Sequence, residues 1–236
     1  MGGLLSFFIF NGRGCGWLPG NRVLQTIKTS KIITSKQDKC FLECNNISAN
    51  AIYQLIENGD VNFSESDTKN KNYSISNDSL RLSFQLNLKD SLPITIINNI
   101  PNPNNCACDT VPNYEYTTLY QPNAMVLERL KNLTLSIKEK VLCELNCFGL
   151  NEQDVQKIFE EGEILFEQSY PNRTPNPIYY IKHTKNDIEY LYWVEQGATK
   201  SRLIHVVNYN ENNLKEGEPL STLFEQSLKI RDCECY

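Results

Sequence analysis

Nine cysteines are the residues of this 236-residue chain whose type and spacing could do chemistry. Eight of them fall into four close pairs, alternately Cys-x3-Cys and Cys-x-Cys: Cys40 and Cys44, Cys106 and Cys108, Cys143 and Cys147, Cys233 and Cys235. Positions i and i+4 of a helix share a face about 6 Å apart, and positions i and i+2 of a strand share a face about 6.6 Å apart. The spacing therefore predicts two side-by-side disulfides between the first two pairs and two more between the last two.

Two other states of these cysteines are open at this point. The same four thiols of each set could converge on one tetrahedral zinc ion, or they could stay unpaired in the core. The compartment decides between these states, because disulfides persist in exported proteins and are rare in the cytosol. We favour disulfides and expect no metal site and no cofactor.

Other side chains offer little for catalysis. The two histidines, His183 and His205, stand at no motif spacing, so we expect surface or hydrogen-bonded positions for both. Glu160, Glu161 and Glu163 lie in a charged stretch at the end of a predicted helix. No Walker loop, dinucleotide fingerprint, nucleophile elbow or zinc-protease motif is present. We therefore expect no catalytic residue.

The composition sets further limits. A net charge of -5 argues against a nucleic-acid partner for the whole chain. A hydrophobic content of 40% with 10% aromatics is enough to form a packed core.

An internal repeat organises the chain. Residues 40–66 and 143–169 align without a gap, each position of the second segment following its counterpart by 103 residues. This alignment predicts a tandem duplication. Seven pairs are identical: Cys40/Cys143, Leu42/Leu145, Cys44/Cys147, Glu57/Glu160, Gly59/Gly162, Phe63/Phe166 and Ser66/Ser169.

Each copy predicts a short helix followed by an antiparallel sheet, an α+β fold. Ser48 and Asn151 are suitable N-caps, apolar residues then recur at helical spacing, and Gly59 and Gly162 predict the helix ends. Beyond the glycines the apolar residues alternate with polar ones, as in strands with one buried face. Residues 126–146 return to helical spacing.

The N-terminus predicts attachment to a membrane. Gly2 to Phe10 is apolar or small, too short to span a bilayer, and is followed at once by Asn11, Gly12 and Arg13. We interpret it as the end of a membrane helix that begins upstream of Met1; a buried strand or a frayed start is the alternative. The predicted segments are a truncated membrane helix 1–10, a membrane-proximal segment 11–36, a first repeat domain 37–110, a linker 111–125 and a second repeat domain with C-terminal extension 126–236.

The run from Val141 to Ile164 resembles a bacterial domain-of-unknown-function family, the one numbered forty-two fifty-eight. Val141, Leu145, Gly149 and Leu150 match the Ala, Met, Gly and Ile positions of the family's opening helix. The segment from Asn11 to Val23 resembles the part just outside the membrane in anchored relatives with two such copies. The resemblance implies a helix, a capped second helix and an antiparallel sheet.

The basic positions of that helix are replaced here. The family's His position holds Lys140 in the second copy and Gln37 in the first, and the following Arg position holds Glu144 and Phe41. If members of the family act on RNA, they need a His for proton transfer and cationic groups for the phosphates. We therefore predict a membrane-anchored, extracytoplasmic (periplasmic) and non-catalytic protein with a binding or structural role and a protein partner. The alternatives are a nuclease-like enzyme with its site moved to Arg202, His205 and Tyr209, or a zinc-binding module.

Overall fold

The computed structural model describes residues 18–88, 93–101 and 104–209, together with residues 220, 222 and 235. The chain divides into two compact units, residues 1–121 and 122–236, and each has its own sheet. The fold class is α+β.

In the first unit one helix and one strand precede a helix pair, and the remaining strands follow. Strand β1 lies inside the sheet, parallel to β5, and every other strand pair is antiparallel; the strand order is β2-β3-β4-β5-β1-β6. The bounds are α1 Pro19–Thr29, β1 Lys31–Ser35, α2 Lys36–Cys44, α3 Ala49–Asn58, β2 Asp60–Asp67, β3 Asn72–Ser76, β4 Arg81–Asn87, β5 Ile94–Asn98 and β6 Tyr116–Thr118.

In the second unit, too, one helix and one strand precede a helix pair, and four described strands follow it. Its sheet runs β7-β11-β10-β9-β8, and the one parallel pair among these strands is β7 with β11. The bounds are α4 Asn123–Lys131, β7 Thr134–Ile137, α5 Glu139–Cys147, α6 Glu152–Glu161, β8 Glu163–Ile164, β9 Ile178–Lys185, β10 Ile188–Gln196 and β11 Lys200–Asn208.

The predicted N-caps of α3 and α6 are confirmed. The Ser48 side chain accepts a hydrogen bond from the N–H of Ala51 at 3.2 Å. Asn151 forms a full capping box with Asp154, in which each side chain accepts from the other residue's backbone N–H. Each helix is thereby fixed at its first turn, and its apolar face lies against the sheet of its own unit.

Gly59 and Gly162 end these helices for a reason of packing. Both have negative φ, so neither needs the left-handed region that favours glycine. A Cβ on Gly162 would press on the Ile158 carbonyl and lie 2.5 Å from Cγ2 of Ile181. Glycine is required here because the chain passes this close to β9.

The alternating pattern of β4 buries one side of the strand, as predicted. Leu82, Phe84 and Leu86 are buried, while the residues between them are partly exposed. In the second unit, strands β9 to β11 bury residues on both faces. The face toward the helices contributes Ile181, Tyr192, Val194, Leu203 and Val206 to the main core.

Three predictions from the sequence need correction. The sheets are mixed rather than antiparallel, because β1 and β7 enter them as parallel strands. Residues 126–146 do not form one helical stretch, since β7 separates α4 from α5. Strands β1 and β6 fall within the segments predicted as membrane-proximal, 11–36, and as linker, 111–125.

The predicted membrane helix, residues 1–10, lies outside the described residues. Within the described part, no helix is both long and apolar enough to cross a membrane.

Candidate functional site

Two bridges join the four cysteines that the structure describes in the first unit. Cys40 is bonded to Cys108 and Cys44 to Cys106, with Cα–Cα distances of 5.9 and 6.2 Å. One turn of α2 supplies the first pair, and the irregular segment between β5 and β6 supplies the second, where the N–H of Cys108 donates to the carbonyl of Cys106. The connectivity runs antiparallel, so the outer bridge encloses the inner one.

In the second unit, Cys143 on α5 is bonded to Cys235, with the Cα atoms 5.6 Å apart. Cys147 is also disulfide-bonded, and Cys233 lies outside the described residues. Seven of the eight thiols of the zinc alternative, those in the described part of the chain, are therefore consumed by disulfide bonds. No group of three or more His, Cys, Asp or Glu residues in the described ranges is arranged to hold a metal ion.

His205 on β11 lies next to a buried carboxylate that the sequence did not single out as a partner. Glu144 on α5 is 1% exposed, and its Oε1 is 3.0 Å from Nδ1 of His205. Its other oxygen, Oε2, accepts a hydrogen bond from the N–H of Val206 at 3.3 Å.

The end of β7 explains this arrangement. Strand β7 pairs with β11 only as far as Ile137 and Leu203, so the following residues of β11 lack that neighbour. The Glu144 carboxylate takes its place as an acceptor for the backbone of β11. A buried carboxylate requires such donors, because desolvation of an unpaired charge costs several kcal/mol. Glu144 is therefore a structural residue of the sheet edge.

The other residues considered for chemistry lie apart from this pair. His183 faces Glu161 at 3.4 Å, Glu160 pairs with Lys131 at 2.7 Å, and Glu163 pairs with Lys182 at 3.4 Å. Tyr209 is buried in a second apolar cluster with Leu191, Val207 and Leu220. These contacts do not form one catalytic centre.

The face of the second sheet opposite the main core carries an aromatic row. Cross-strand register places Tyr180, Trp193 and His205 side by side, with ring centroids 5.7 Å apart at each step. Tyr170 extends the row beyond Tyr180 at 6.4 Å. Burial raises the pKa of Tyr180 to about 12, so its phenol is neutral across the physiological range.

Beside this row lies a charged cluster that we call the arginine cluster, formed by Arg173, Glu195 and Arg202. Glu195 on β10 accepts a hydrogen bond from Nη1 of Arg173 at 3.2 Å, and its other oxygen, Oε1, forms an ion pair with Nη2 of Arg202 at 3.0 Å. Its side chain is only 15% exposed, whereas those of the arginines are 46% and 42% exposed. Two guanidinium groups thus converge on one carboxylate.

Sequence reasoning named Arg202 but missed Glu195 and Arg173. One signal was available: Glu195 and Arg202 flank a short turn containing Gly197, so a tight hairpin brings them opposite each other. Nothing comparable marks Arg173, which reaches Glu195 from the loop before β9. Glu144 was noted only as a replacement, because no local pattern tells where a helix will meet a sheet edge.

Comparison with protein-family models, curated proteins and solved structures finds no match for this chain. The resemblance noted from the sequence therefore stays a prediction.

Proposed function

We propose that this chain is an extracytoplasmic protein, held at a membrane by its N-terminal segment, that acts without catalysis through the binding or structural role of two repeated units. The observation that carries this proposal is the bridging of the cysteines. Three disulfides join described residues, and Cys147 is bonded as well. Such bridges are typical of exported proteins and rare in the cytosol.

The duplication belongs to this proposal and has structural support within each unit. Helix α2 spans residues 36–44 and helix α5 spans residues 139–147, an offset of 103 at both ends, and α3 and α6 share the same offset. Ser66 and Ser169, an identical pair, also make equivalent bonds. Each hydroxyl donates to the carbonyl four residues earlier and accepts from a backbone N–H of the next strand.

The absence of catalysis is supported by Glu144. This residue occupies a position where the resembled family has an arginine, and its carboxylate bonds the edge of β11. Membership of that family, numbered forty-two fifty-eight, is likewise a proposal and rests on the sequence resemblance alone.

Localisation tests the proposal directly. The complete reading frame, including any sequence upstream of Met1, is expressed, and cells are fractionated with protease access to spheroplasts. Cysteines are alkylated with a mass-tagged maleimide before and after reduction. We expect a membrane-bound, protease-accessible product whose bridged cysteines react only after reduction. A soluble product rejects the anchor, and a shielded product with reactive cysteines rejects the extracytoplasmic location.

A nuclease-like enzyme is the second candidate, and the observation that favours it is the hydrogen bond between His205 and Glu144. A carboxylate that orients an imidazole is a common arrangement for general acid–base catalysis. The other two residues of this alternative support it less, because Arg202 is paired with Glu195 and Tyr209 is buried. RNA turnover that disappears in His205→Ala but persists in His183→Ala would favour this candidate. We expect no turnover above background from the unaltered chain.

A further inference from the structure

Two arginines of the second unit share one acceptor in a geometry that leaves donors unused. Glu195 engages Nη1 of Arg173 and Nη2 of Arg202. Within the part of the chain that the structure describes, no hydrogen bond engages Nη2 of Arg173 or Nη1 of Arg202. Arginine presents five N–H donors in a planar fork that fits a carboxylate bidentately. Each guanidinium can therefore donate to a second carboxylate while it stays paired with Glu195.

The cluster is prepared to bind an anion. Glu195 is mostly buried and holds both guanidinium groups in place, while nearly half of each arginine side chain remains exposed. Two cations and one anion leave a local charge of +1 on a chain whose net charge is -5. A fixed, partly neutralised pair loses less side-chain entropy on binding than two free arginines would.

An exposed aromatic ring adjoins the same cluster. Tyr170 is 51% exposed, and its carbonyl accepts the backbone N–H of Arg173 at 3.2 Å, so the two residues share one turn. The register continues from Tyr170 through Ile178 and Glu195 to Arg202, which places this tyrosine in line with the arginine cluster across the sheet. Tyrosine and arginine are enriched at the centres of protein–protein interfaces.

We infer that Arg173, Arg202 and Tyr170 form a docking site for an acidic segment of a partner protein. This inference rests on the binding role proposed above and names its site and ligand chemistry. Carboxylates of the partner bind the unused donors of the two arginines, and an apolar or aromatic side chain of the partner packs on Tyr170. A positive patch is needed for this binding because the chain as a whole is negatively charged and repels acidic partners.

Binding is measured with the oxidised full chain. The probe is a labelled random copolymer of glutamate and tyrosine, followed by fluorescence anisotropy at low salt. We expect saturable binding, and an affinity about tenfold or more lower for the double variant Arg173→Gln/Arg202→Gln. A tenfold loss corresponds to about 1.4 kcal/mol, the size of one charge-assisted hydrogen bond. Tyr170→Ala should lower the affinity for the copolymer more than the affinity for polyglutamate, which has no tyrosine.

Matched variants separate the site from net charge and from misfolding. Lys131→Gln removes one positive charge elsewhere in the same unit, at a side chain that is 49% exposed and also paired with one glutamate. It should leave the affinity within about twofold. Arg202→Lys keeps the charge but loses the planar fork, and should weaken binding several-fold. Thermal melts of all variants identify any that fail to fold.

Two outcomes contradict the docking site itself. No binding by the unaltered chain, or equal binding by the double arginine variant, overturns the inference. If the arginines bind oligogalacturonate, an acidic polysaccharide fragment, more tightly than the copolymer, the inference that the partner is a protein is overturned. The binding experiment tests only the docking site, and the cell fractionation described above tests only the location. Failure of one proposal can therefore be told from failure of the other.

Discussion

A buried carboxylate at position 144 joins helix α5 to the part of strand β11 that lies beyond its pairing with β7. Both of its oxygens have donors, one in the His205 ring and one in the backbone of Val206. Removing the carboxylate leaves the buried Val206 N–H without its acceptor, which costs about 1–3 kcal/mol.

We therefore expect Glu144→Ala to lower the free energy of unfolding by about 2–4 kcal/mol, the lost bonds plus a cavity. Glu144→Gln keeps an acceptor oxygen and should cost less than half as much. Urea unfolding monitored by Trp fluorescence measures both variants. Equal stability of Glu144→Ala and the unaltered chain would contradict the structural role given to this residue.

Asp154 provides a pH-dependent contribution. Burial alone would raise the pKa of this carboxyl, but the hydrogen bond from Lys185 at 2.7 Å and the N–H of Asn151 outweigh it and lower the pKa below its usual value. Because the folded pKa lies below the unfolded one, the stabilisation is complete above about pH 4 and disappears as pH falls through the folded value.

Asp154→Asn should therefore destabilise the protein at pH 7 by about 1–3 kcal/mol. The difference from the unaltered chain should shrink as the pH falls below about 4 and the Asp154 carboxyl is protonated. Thermal melts across this pH range test the expectation, with Asp187→Asn, the same change at an exposed carboxyl, as control. A difference that does not depend on pH would contradict the role given to the charge of Asp154.

At the scale of elements, the approach of α6 to β9 depends on Gly162. A methyl group there would meet the Ile158 carbonyl and the Ile181 side chain. We expect Gly162→Ala to destabilise by about 1–3 kcal/mol through overpacking.

Gly20→Ala in helix α1 is the matched control. A Cβ at this position would meet only Val61 and Phe63 of β2, at ordinary contact distances of 3.7 Å or more. This change should be neutral or stabilising by up to about 1 kcal/mol. Denaturant unfolding should thus show a loss of stability in Gly162→Ala and none in Gly20→Ala, and equal losses in the two variants would refute the packing argument.

The two bridges of the first unit are nested, so their contributions are not additive. Cys40 and Cys108 are 68 residues apart, a loop for which the chain-entropy model gives about 4.4 kcal/mol. With that bridge closed, the inner bridge closes a ring of only about six residues and adds roughly 2 kcal/mol.

Replacing either cysteine pair by alanines should cost about 2 kcal/mol, and replacing both should cost about 6–7 kcal/mol. Chemical denaturation of the single and double variants under oxidising conditions measures this non-additivity. Two single losses of about 4 kcal/mol each would show that the bridges constrain different parts of the unfolded chain.

At the scale of the molecule, the second unit contains a complete fold. Its sheet, its helices and the bridge from Cys143 to Cys235 all lie within residues 122–236. We expect this segment, expressed alone under oxidising conditions, to melt cooperatively and to retain its bridges in non-reducing peptide maps. An unfolded product would mean that this unit needs residues before 122.

Local patterns in the sequence determined the capped helices, the alternating strand β4 and the matched spacing of the cysteines. Each of these depends on residues close along the chain: Ser48 with Ala51, Leu82 with Phe84, Cys40 with Cys44. The N-terminal anchor is a prediction from the sequence alone, and its residues lie outside the described part of the structure.

Tertiary structure alone decided the rest. A strand of four residues such as β7 is too short for the alternation of Leu135 and Ile137 to stand out from the helical spacing on either side, and its parallel partner β11 lies more than 60 residues further along. Glu144 and His205 are 61 residues apart, and Arg173 and Glu195 are 22 apart. These pairs form because packing of helices and strands brings distant side chains together, and a buried charge must then find a partner wherever the fold has placed it.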